Sequence, residues 1–226
     1  MKIDGDLVFV AQTDQMAGMW HKASPDEQEL IAAMHEHYEQ EFRRVAAVAP
    51  NPESTAHTVN GIVDGFIAEH RAAAPQAKDI RCGRGCAHCC RINVTITLPE
   101  AHLLLAWAED QGIEVDWARV ERQAQHPGLA WRELPLPDRD CVFLGKTGDC
   151  RVYEHRPVAC RKHFVVSDPA NCNKNLRARR TLMFVCPQAE VVASAALTAF
   201  ENRSMPVMLM KARREKEAPA EQFGGA

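Results

Sequence analysis

Four cysteines stand within nine residues, at Cys82, Cys86, Cys89 and Cys90, and two glycines separate the first pair. Thiolates crowded in this way are typical ligands of zinc ions and of iron–sulfur clusters. Glycine readily adopts the positive φ angles that a loop needs when it wraps around an ion. The first cysteine block, residues 82–90, therefore predicts a metal-binding loop.

The first block is not expected to form a closed site alone. Neighbouring side chains of an extended backbone point in opposite directions, so Cys89 and Cys90 are not expected to bind the same ion. Either each faces a different site, or one of them lies outside the coordination shell. Zinc and iron–sulfur clusters both usually take four thiolates, so eight cysteines suffice for two sites. No cysteine precedes the block, and those that follow it are Cys141, Cys150, Cys160, Cys172 and Cys186.

The second cysteine block, residues 141–164, contains two of these cysteines around a glycine-rich turn. The pattern predicts two short strands, Val142–Leu144 and Arg151–Tyr153, joined by the turn. Such a hairpin would bring Cys141 and Cys150 together as half of a site. After it, a proline is expected to start a short helical turn that presents Cys160.

Basic residues are concentrated in the part of the chain that contains the cysteines. Residues 1–80 have 6 Lys or Arg against 13 Asp or Glu, whereas residues 81–180 have 16 against 12. Guanidinium groups near thiolates favour the deprotonated form and offset its charge. The arginines placed to do so are Arg81, Arg84, Arg91, Arg151, Arg156 and Arg161.

Three motifs, in order along the chain, resemble those of the YkgJ-type cysteine-cluster family of zinc- or iron-chelating domains. They are CGRGCAHCC from Cys82, CVFLGKTGDC from Cys141 and YEHRPVACR from Tyr153. The resemblance covers residues 80–175 and implies that the chain binds zinc or iron, the latter including a 4Fe–4S cluster. The chelating set that it implies is Cys82, Cys86, Cys89, Cys90, Cys141, Cys150, Cys160 and Cys172.

Two features limit what the resemblance implies. Ala87-His88 stands where a glycine often precedes the last cysteine pair, which leaves a contribution of His88 open. Some longer proteins similar in this domain are flagellin lysine methylases. The chain has no Gly-rich loop after a predicted strand that would bind S-adenosylmethionine, so methylase activity is not transferred to it.

The sequence does not decide whether the protein is an enzyme. The spacing of Cys82, Cys86 and Cys89 matches that of radical S-adenosylmethionine enzymes, but the long strand–helix series of those enzymes is missing. No Ser/His/Asp set or carboxylate pair predicts catalysis. The main interpretation is a metal-binding protein. Its alternatives are a redox or methyltransferase-related iron–sulfur enzyme, and a metal-stabilised adaptor that binds a protein or nucleic acid.

The elements that must position the cysteines are mostly helices. A capping box at Ser24 predicts one amphipathic helix, and a second apolar pattern predicts another over residues 52–73, the two forming an antiparallel hairpin. The alternating segment Ile92–Thr97 predicts a strand that holds the first block against the core. Residues 131–140 are expected to be an extended connection. Further helices are predicted to begin at Leu98, Asp116 and Cys186, followed by a short Met205–Met210 segment and a disordered tail after about Lys216.

These elements predict a mainly α fold with a few short β-strands (α+β), in which an irregular Cys-rich metal-binding core packs against helices. Three segments are expected along the chain. Residues 1–80 would form an N-terminal helical hairpin region, residues 81–186 a Cys-cluster metal-binding domain, and residues 187–226 a C-terminal helix and flexible tail.

The composition of the chain predicts its cellular compartment and the class of partner that it binds. The chain has neither an apolar run long enough for a membrane span nor a signal peptide, so we expect a cytoplasmic protein without a membrane partner. In that reducing compartment, clustered thiols are metal ligands or redox groups more often than disulfides. The acidic N-terminal helices suit a protein partner. A net charge of −3 without a basic helical stripe disfavours nucleic acid.

Overall fold

The computed structural model describes residues 2–3, 6–7, 14–172 and 181–218. Within these ranges the chain is mainly helical with short paired strands, which confirms the predicted fold class. No helix there is long and apolar enough to cross a bilayer. The α-helices are α1 Asp14–Trp20, α2 Pro25–Val48, α3 Pro52–Ala73, α4 Leu98–Asp110, α5 Trp117–Ala124, α6 Val158–Arg161, α7 Pro187–Ala199 and α8 Met205–Glu217. The strands are β1 Lys2–Ile3, β2 Asp6–Leu7, β3 Thr95–Thr97, β4 Phe164–Val165, β5 Met183–Phe184 and β6 Asn202–Ser204.

The two N-terminal helices begin where their capping residues predicted. The Ser24 hydroxyl accepts a hydrogen bond from the Glu27 amide at 3.4 Å, and the Glu27 carboxylate accepts one from the Ser24 amide at 2.8 Å. The Asn51 side chain accepts a hydrogen bond from the Ser54 amide at 2.9 Å. These bonds satisfy amides of the first turn that have no partner inside the helix. Both α2 and α3 pack more extensively on α7 than on each other.

The first hydrophobic core lies between α2, α3 and α7. Phe42 of α2 and Val63 of α3 are fully buried in it, together with Val192 of α7. Val158 and Phe164, from the second cysteine block, belong to the same core. The N-terminal helices therefore share their apolar interior with the part of the chain that carries the cysteines.

The second hydrophobic core lies between α4, α5 and α8. Leu104, Val120 and Leu209 fill its centre, one from each helix. Phe143 and Val152 enter it from either side of the turn in the second cysteine block. The second block is consequently anchored in both cores.

The C-terminal part differs from the short Met205–Met210 segment that the sequence predicted. The helix α8 runs on to Glu217, because Met205, Met208, Leu209 and Ala212 bury one continuous face against the second core. The predicted disordered tail falls mostly after residue 218, outside the described residues.

Short strand pairs close the structure near the cysteines. The strand β3 pairs antiparallel with β6, with Thr95 opposite Ser204, and β4 pairs antiparallel with β5. The strand predicted over Ile92–Thr97 is shorter in the structure, where β3 begins only at Thr95. Ile92 is drawn into a turn instead, because its amide donates a hydrogen bond to the carbonyl of Cys89 at 3.2 Å.

Two further loop predictions were wrong. In the second block, a single bridge between Leu144 and Cys150 replaces the predicted strands, because several of the neighbouring amides bond to nearby carbonyls in turns. Residues 131–140 are not extended but fall largely in two 3₁₀-helices, Gly128–Glu133 and Leu136–Arg139. The two prolines of this segment fix φ near −65°, a value that suits a helical turn as well as an extended chain.

Candidate metal centre

Seven of the eight predicted ligands line one cavity of about 100 Å³ between the two cysteine blocks. We call it the thiol cavity. Its remaining walls are largely apolar, with Phe143, Val152 and Met205 among them. None of the chain's nine cysteines is in a disulfide. The cysteines that line the cavity are Cys82, Cys86, Cys89, Cys90, Cys141, Cys150 and Cys160.

The first cysteine block folds as consecutive tight turns. The Cys86 amide donates to the Gly83 carbonyl at 3.1 Å, and the Cys90 amide donates to the Ala87 carbonyl at 3.0 Å. Gly85 has a φ of +89°, the left-handed conformation that the sequence predicted for this loop. Gly83 is not in that conformation.

The turn corrects the premise that Cys89 and Cys90 face opposite ways. The backbone there is not extended, and both side chains line the thiol cavity. The assignment of each thiol to a metal remains a prediction.

Backbone hydrogen bonds join the first block to sequence-distant segments. The Cys141 amide donates to the Cys90 carbonyl at 2.8 Å, which connects the two cysteine blocks directly. On the other side, the Val165 amide donates to Sγ of Cys82 at 3.2 Å, and the Arg81 amide donates to the Val165 carbonyl at 3.1 Å. The strand β4 thereby holds the start of the first block.

The turn of the second block packs against the first. The Gly145 amide donates to the Asp149 carbonyl at 2.7 Å, and Gly148 takes a φ of +82°. A Cβ atom placed at Gly148 would lie 3.8 Å from Cβ of Ala87 and from the Gly85 carbonyl oxygen. This turn therefore brings Cys141 and Cys150 to the thiol cavity, although the hairpin strands predicted for it are absent.

Cys160 is positioned through α6 by a buried carboxylate that the sequence analysis did not identify. Glu100, on α4, accepts a hydrogen bond from the Val158 amide at 2.7 Å and another from the Thr97 amide at 2.7 Å. Burial raises the pKa of Glu100, while these donors act in the opposite direction. The Thr97-x-x-Glu100 capping box is a sequence signal that indicates this residue.

Arg161 links the cysteine motif to the N-terminal helices. Its buried guanidinium pairs with the Asp64 carboxylate of α3 at 2.5 Å and donates to the carbonyls of Arg156 and Glu154. Asp64 lies 97 residues away in the sequence, and the packing of α3 beside α6 brings it to Arg161.

Arg156 is the basic residue that acts on most of the thiols. Its guanidinium carbon lies 3.9 Å from the centre of the Tyr153 ring, a cation–π contact that fixes the charge at the wall of the cavity. Other causes raise the pKa of four thiols, and the positive charge of Arg156 acts against that rise. These thiols are Cys82, Cys89, Cys150 and Cys160. The predicted compensation of thiolate charge by arginine thus falls chiefly to this residue.

Burial nevertheless outweighs the arginine charge, and the pKa of Cys82, Cys150 and Cys160 is raised above the ordinary value. Burial raises the pKa of Cys141 and of Cys160 to about 12, and that of Cys172 to about 11. Contact with the Cys90 thiol, followed by burial, raises the pKa of Cys89 far above its usual range. Removing several charges from water in one small cavity is costly unless a cation is present.

Mutual repulsion sorts the thiols into two groups around Cys89. Charges on Cys86 and Cys89 repel a charge on Cys82 and so raise its pKa. The pKa of Cys172 is raised in the same way by Cys89, Cys82 and Cys86. In the second block, charges on Cys160, Cys150 and Cys89 raise the pKa of Cys141. A charge on Cys89 therefore acts on thiols of both groups. The first group comprises Cys82, Cys86 and Cys172, and the second comprises Cys141, Cys150 and Cys160.

The other residues that could bind a metal lie outside the thiol cavity. Cys172 and His88 line a neighbouring cleft, not the thiol cavity. Cys186 is buried in the first core, where its thiol donates to the Phe66 carbonyl at 3.5 Å. In the described part of the chain, no three His, Cys, Asp or Glu side chains are already arranged to hold a metal ion.

The donor set still fits a soft metal, because seven thiols converge on one cavity and thiolates select zinc, Cu(I) and iron–sulfur clusters.

A cavity lined by reduced thiols is typical of proteins that chelate metals. Residues 81–183 match the family model named CxxCxxCC, described as "putative zinc- or iron-chelating domain". The match confirms the resemblance of this part of the chain to the cysteine-cluster family, which its three motifs indicated. No curated protein and no solved structure shows significant similarity to the chain.

Proposed function

We propose that the protein binds zinc or an iron–sulfur cluster through eight cysteines and that the metal joins its two cysteine blocks. The observation that carries the proposal is the convergence of seven thiols, from segments far apart in sequence, on one cavity. The proposed ligands are Cys82, Cys86, Cys89, Cys90, Cys141, Cys150, Cys160 and Cys172.

The two groups of mutually repelling thiols support two four-thiol sites. One site would use Cys82, Cys86 and Cys172, and the other would use the three cysteines of the second block. Cys89 repels thiols of both groups and Cys90 is its neighbour in the cavity lining, so these two would complete one site each. Binding requires the thiols to move inward and lose their protons, so folding and metal binding are coupled.

The surrounding residues prepare the cavity for a charged centre. Four thiolates around a divalent ion leave a net charge of about −2, because four negative charges exceed the two positive ones. Arg156 supplies a fixed positive charge at the wall, and the apolar residues exclude water. When bound, zinc would act as a structural crosslink, whereas an iron–sulfur cluster would add electron transfer.

Anaerobic purification followed by metal and sulfide analysis tests the proposal. Colourless protein with stoichiometric zinc would support a structural centre. Brown protein containing iron and acid-labile sulfide would support a cluster. Protein purified without either metal, and unable to take up zinc or to accept a reconstituted cluster, would contradict the proposal.

Replacing Cys150 by serine should remove bound metal and lower the melting temperature, because the second group then lacks a ligand. Structural sites of this kind supply much of a small domain's folding free energy. The matched control is Cys186→Ser, which changes a buried cysteine of the first core outside the thiol cavity. Metal content is measured on both variants. Equal metal loss in the control, or full metal content in Cys150→Ser, would refute the ligand assignment.

We also propose that the acidic face of α2 binds a protein partner, with the metal centre as a structural support. Leu30, one turn after Asp26 and Glu27, is 70% exposed, and Val48 at the C-terminal end of the helix is 77% exposed. Exchanging both for serine should abolish partner capture without changing metal content. Unaltered capture would count against this interface. A cytoplasmic location suits such a protein, because a reducing compartment keeps its thiols available.

A further inference from the structure

A second cavity, the arginine cleft, lies beside the thiol cavity and has a different chemistry. Its volume is about 490 Å³, within the usual range of ligand sites. One wall is the chain that leaves the first cysteine block, and the other is formed by the two 3₁₀-helices Gly128–Glu133 and Leu136–Arg139. Cys172 lines the cleft where it approaches the metal centre.

The lining of the cleft is basic. Arg91, Arg132 and Arg139 line it together with His88, and no Asp or Glu of the described chain does. Two nearby acids are already paired: Asp138 with Arg122 at 3.0 Å, and Asp140 with Arg91 of the cleft lining at 2.6 Å.

Two of the three arginines have no carboxylate partner in the described part of the chain. The Arg139 guanidinium donates to the carbonyls of Leu134, at 2.8 Å, and Arg132. Carbonyl oxygens fix the direction of this group without neutralising it. The Arg132 side chain is exposed and forms no ion pair with the part of the chain that the structure describes. Both charges are therefore available to an anion.

Apolar side chains flank this charge. Leu129 is 81% exposed and Leu136 is 47% exposed, each on a different 3₁₀-helix at the cleft. Trp131 is buried between them, held by a hydrogen bond from its indole N–H to the Arg91 carbonyl at 3.0 Å. The Asn93 side chain also belongs to the lining, with its amide oxygen buried below the cleft surface.

We propose that the arginine cleft binds a short acidic peptide segment of a partner protein, in which carboxylates alternate with leucine-like side chains. The carboxylates would pair with Arg132 and Arg139, and the apolar side chains would cover Leu129 and Leu136. This site is a separate cavity from the thiol cavity and borders the proposed metal centre only at Cys172.

Nuclear magnetic resonance on the full-length protein, with the metal it carries when purified, tests this proposal. The probe is an acetylated hexapeptide of alternating glutamate and leucine, and the reference is the same peptide with glutamine. The reporter is the indole N–H of Trp131, assigned by its loss in Trp131→Phe. We expect saturable shifts with the glutamate peptide and at least fivefold weaker binding of the glutamine peptide.

Two variants separate charge from apolar contact. Arg132→Gln should weaken binding about two- to fivefold, the range that exposed ion pairs contribute. Leu129→Ser should also weaken it, and neither should unfold the protein because both side chains are exposed. Arg44→Gln on α2, an exposed arginine far from the cleft in sequence, is the control and should bind normally. Equal affinity for the two peptides, or undiminished binding in both cleft variants, would overturn the proposal.

Discussion

At the scale of single residues, the chemistry of the thiol cavity is a balance between burial and charge. The apolar walls raise the pKa of the cysteines, and Arg156 acts against that effect on four of them. The Tyr153 ring keeps the guanidinium in place. A site built in this way strongly favours a cation over an empty set of thiolates.

The raised thiol pKa values predict the pH dependence of zinc binding. Each thiol that becomes a ligand releases a proton, so affinity should rise with pH as long as the solution remains below the thiol pKa. Because burial raises the pKa of Cys141 and Cys160 to about 12, the rise should continue past the ordinary cysteine value of about 8.5. Chelator competition between pH 6.5 and 9 measures this. A plateau near pH 8 would show that the thiols are less perturbed than the structure indicates.

Replacing Arg156 by glutamine should weaken metal binding about 10- to 100-fold, the usual effect of removing a group that supports metal ligands. The loss follows from the missing positive charge, which raises the pKa of the four thiols further. Arg84→Gln is the matched control, since Arg84 also lies over Tyr153, at 5.4 Å, but is exposed. Competition with a zinc chelator measures both variants. Similar affinity in Arg156→Gln and the wild type would exclude a role for this charge.

At the scale of elements, α6 depends on α4. The short α6 lacks a side-chain cap at its start, and the Glu100 carboxylate of α4 binds the first amide instead. The same carboxylate caps its own helix through Thr97. One buried acid thus fixes the start of the helix that presents Cys160.

Glu100→Gln should lower the free energy of unfolding by about 1–3 kcal/mol, because an amide leaves one of the buried donors without an acceptor. Urea unfolding at neutral pH measures the change. Glu109→Gln on the same helix serves as the control, since Glu109 is exposed and its ion pair with Lys216 contributes little. Equal stability of the two variants would mean that the Glu100 hydrogen bonds are dispensable.

Elements with local signals could be predicted, whereas those that depend on distant contacts could not. The start of α2 follows from Ser24 and Glu27, which lie within one turn of each other. The ion pair of Arg161 with Asp64 could not be foreseen, because only the packing of α3 on α6 brings the two together. In the second block, glycines indicated a turn correctly, but the flanking residues bury in a core and form turns where strands were expected.

In the candidate site, too, local sequence signals could be interpreted, whereas contacts between distant residues could not be predicted. The cysteine motifs identified the thiols that line the cavity, because ligand residues recur at characteristic spacings. The orientation of Cys90 depends on a turn that the assumption of extended backbone missed. The role of Glu100 requires knowledge of which helix contacts α6, and the sequence alone does not contain that contact.

At the scale of the whole molecule, the two hydrophobic cores meet at the cysteine blocks. The first core includes side chains from α2 and α3 together with Val158 and Phe164. The predicted segments 1–80, 81–186 and 187–226 are thus in contact through a common interior. Their independence as folding units is a separate prediction.

We expect residues 76–226 not to fold alone. The truncation removes Phe42, Val59, Val63 and Ile67 from the first core. Burial of four such side chains contributes about 6–12 kcal/mol, comparable with a typical total stability of about 5–15 kcal/mol. Calorimetry should show no cooperative transition, whereas deletion of residues 219–226 should preserve one. A sharp transition in the 76–226 fragment would instead establish it as an autonomous domain.

The packing of α2 on α7 also has a consequence during synthesis. The partner of α2 follows it by roughly 140 residues, and translation at about 5–20 residues per second takes on the order of ten seconds to reach it. Throughout that interval α3 covers only part of the apolar side of α2, and the part that packs on α7 has no native cover. A nascent chain of this protein is therefore exposed to chaperones and proteases until α7 has left the ribosome.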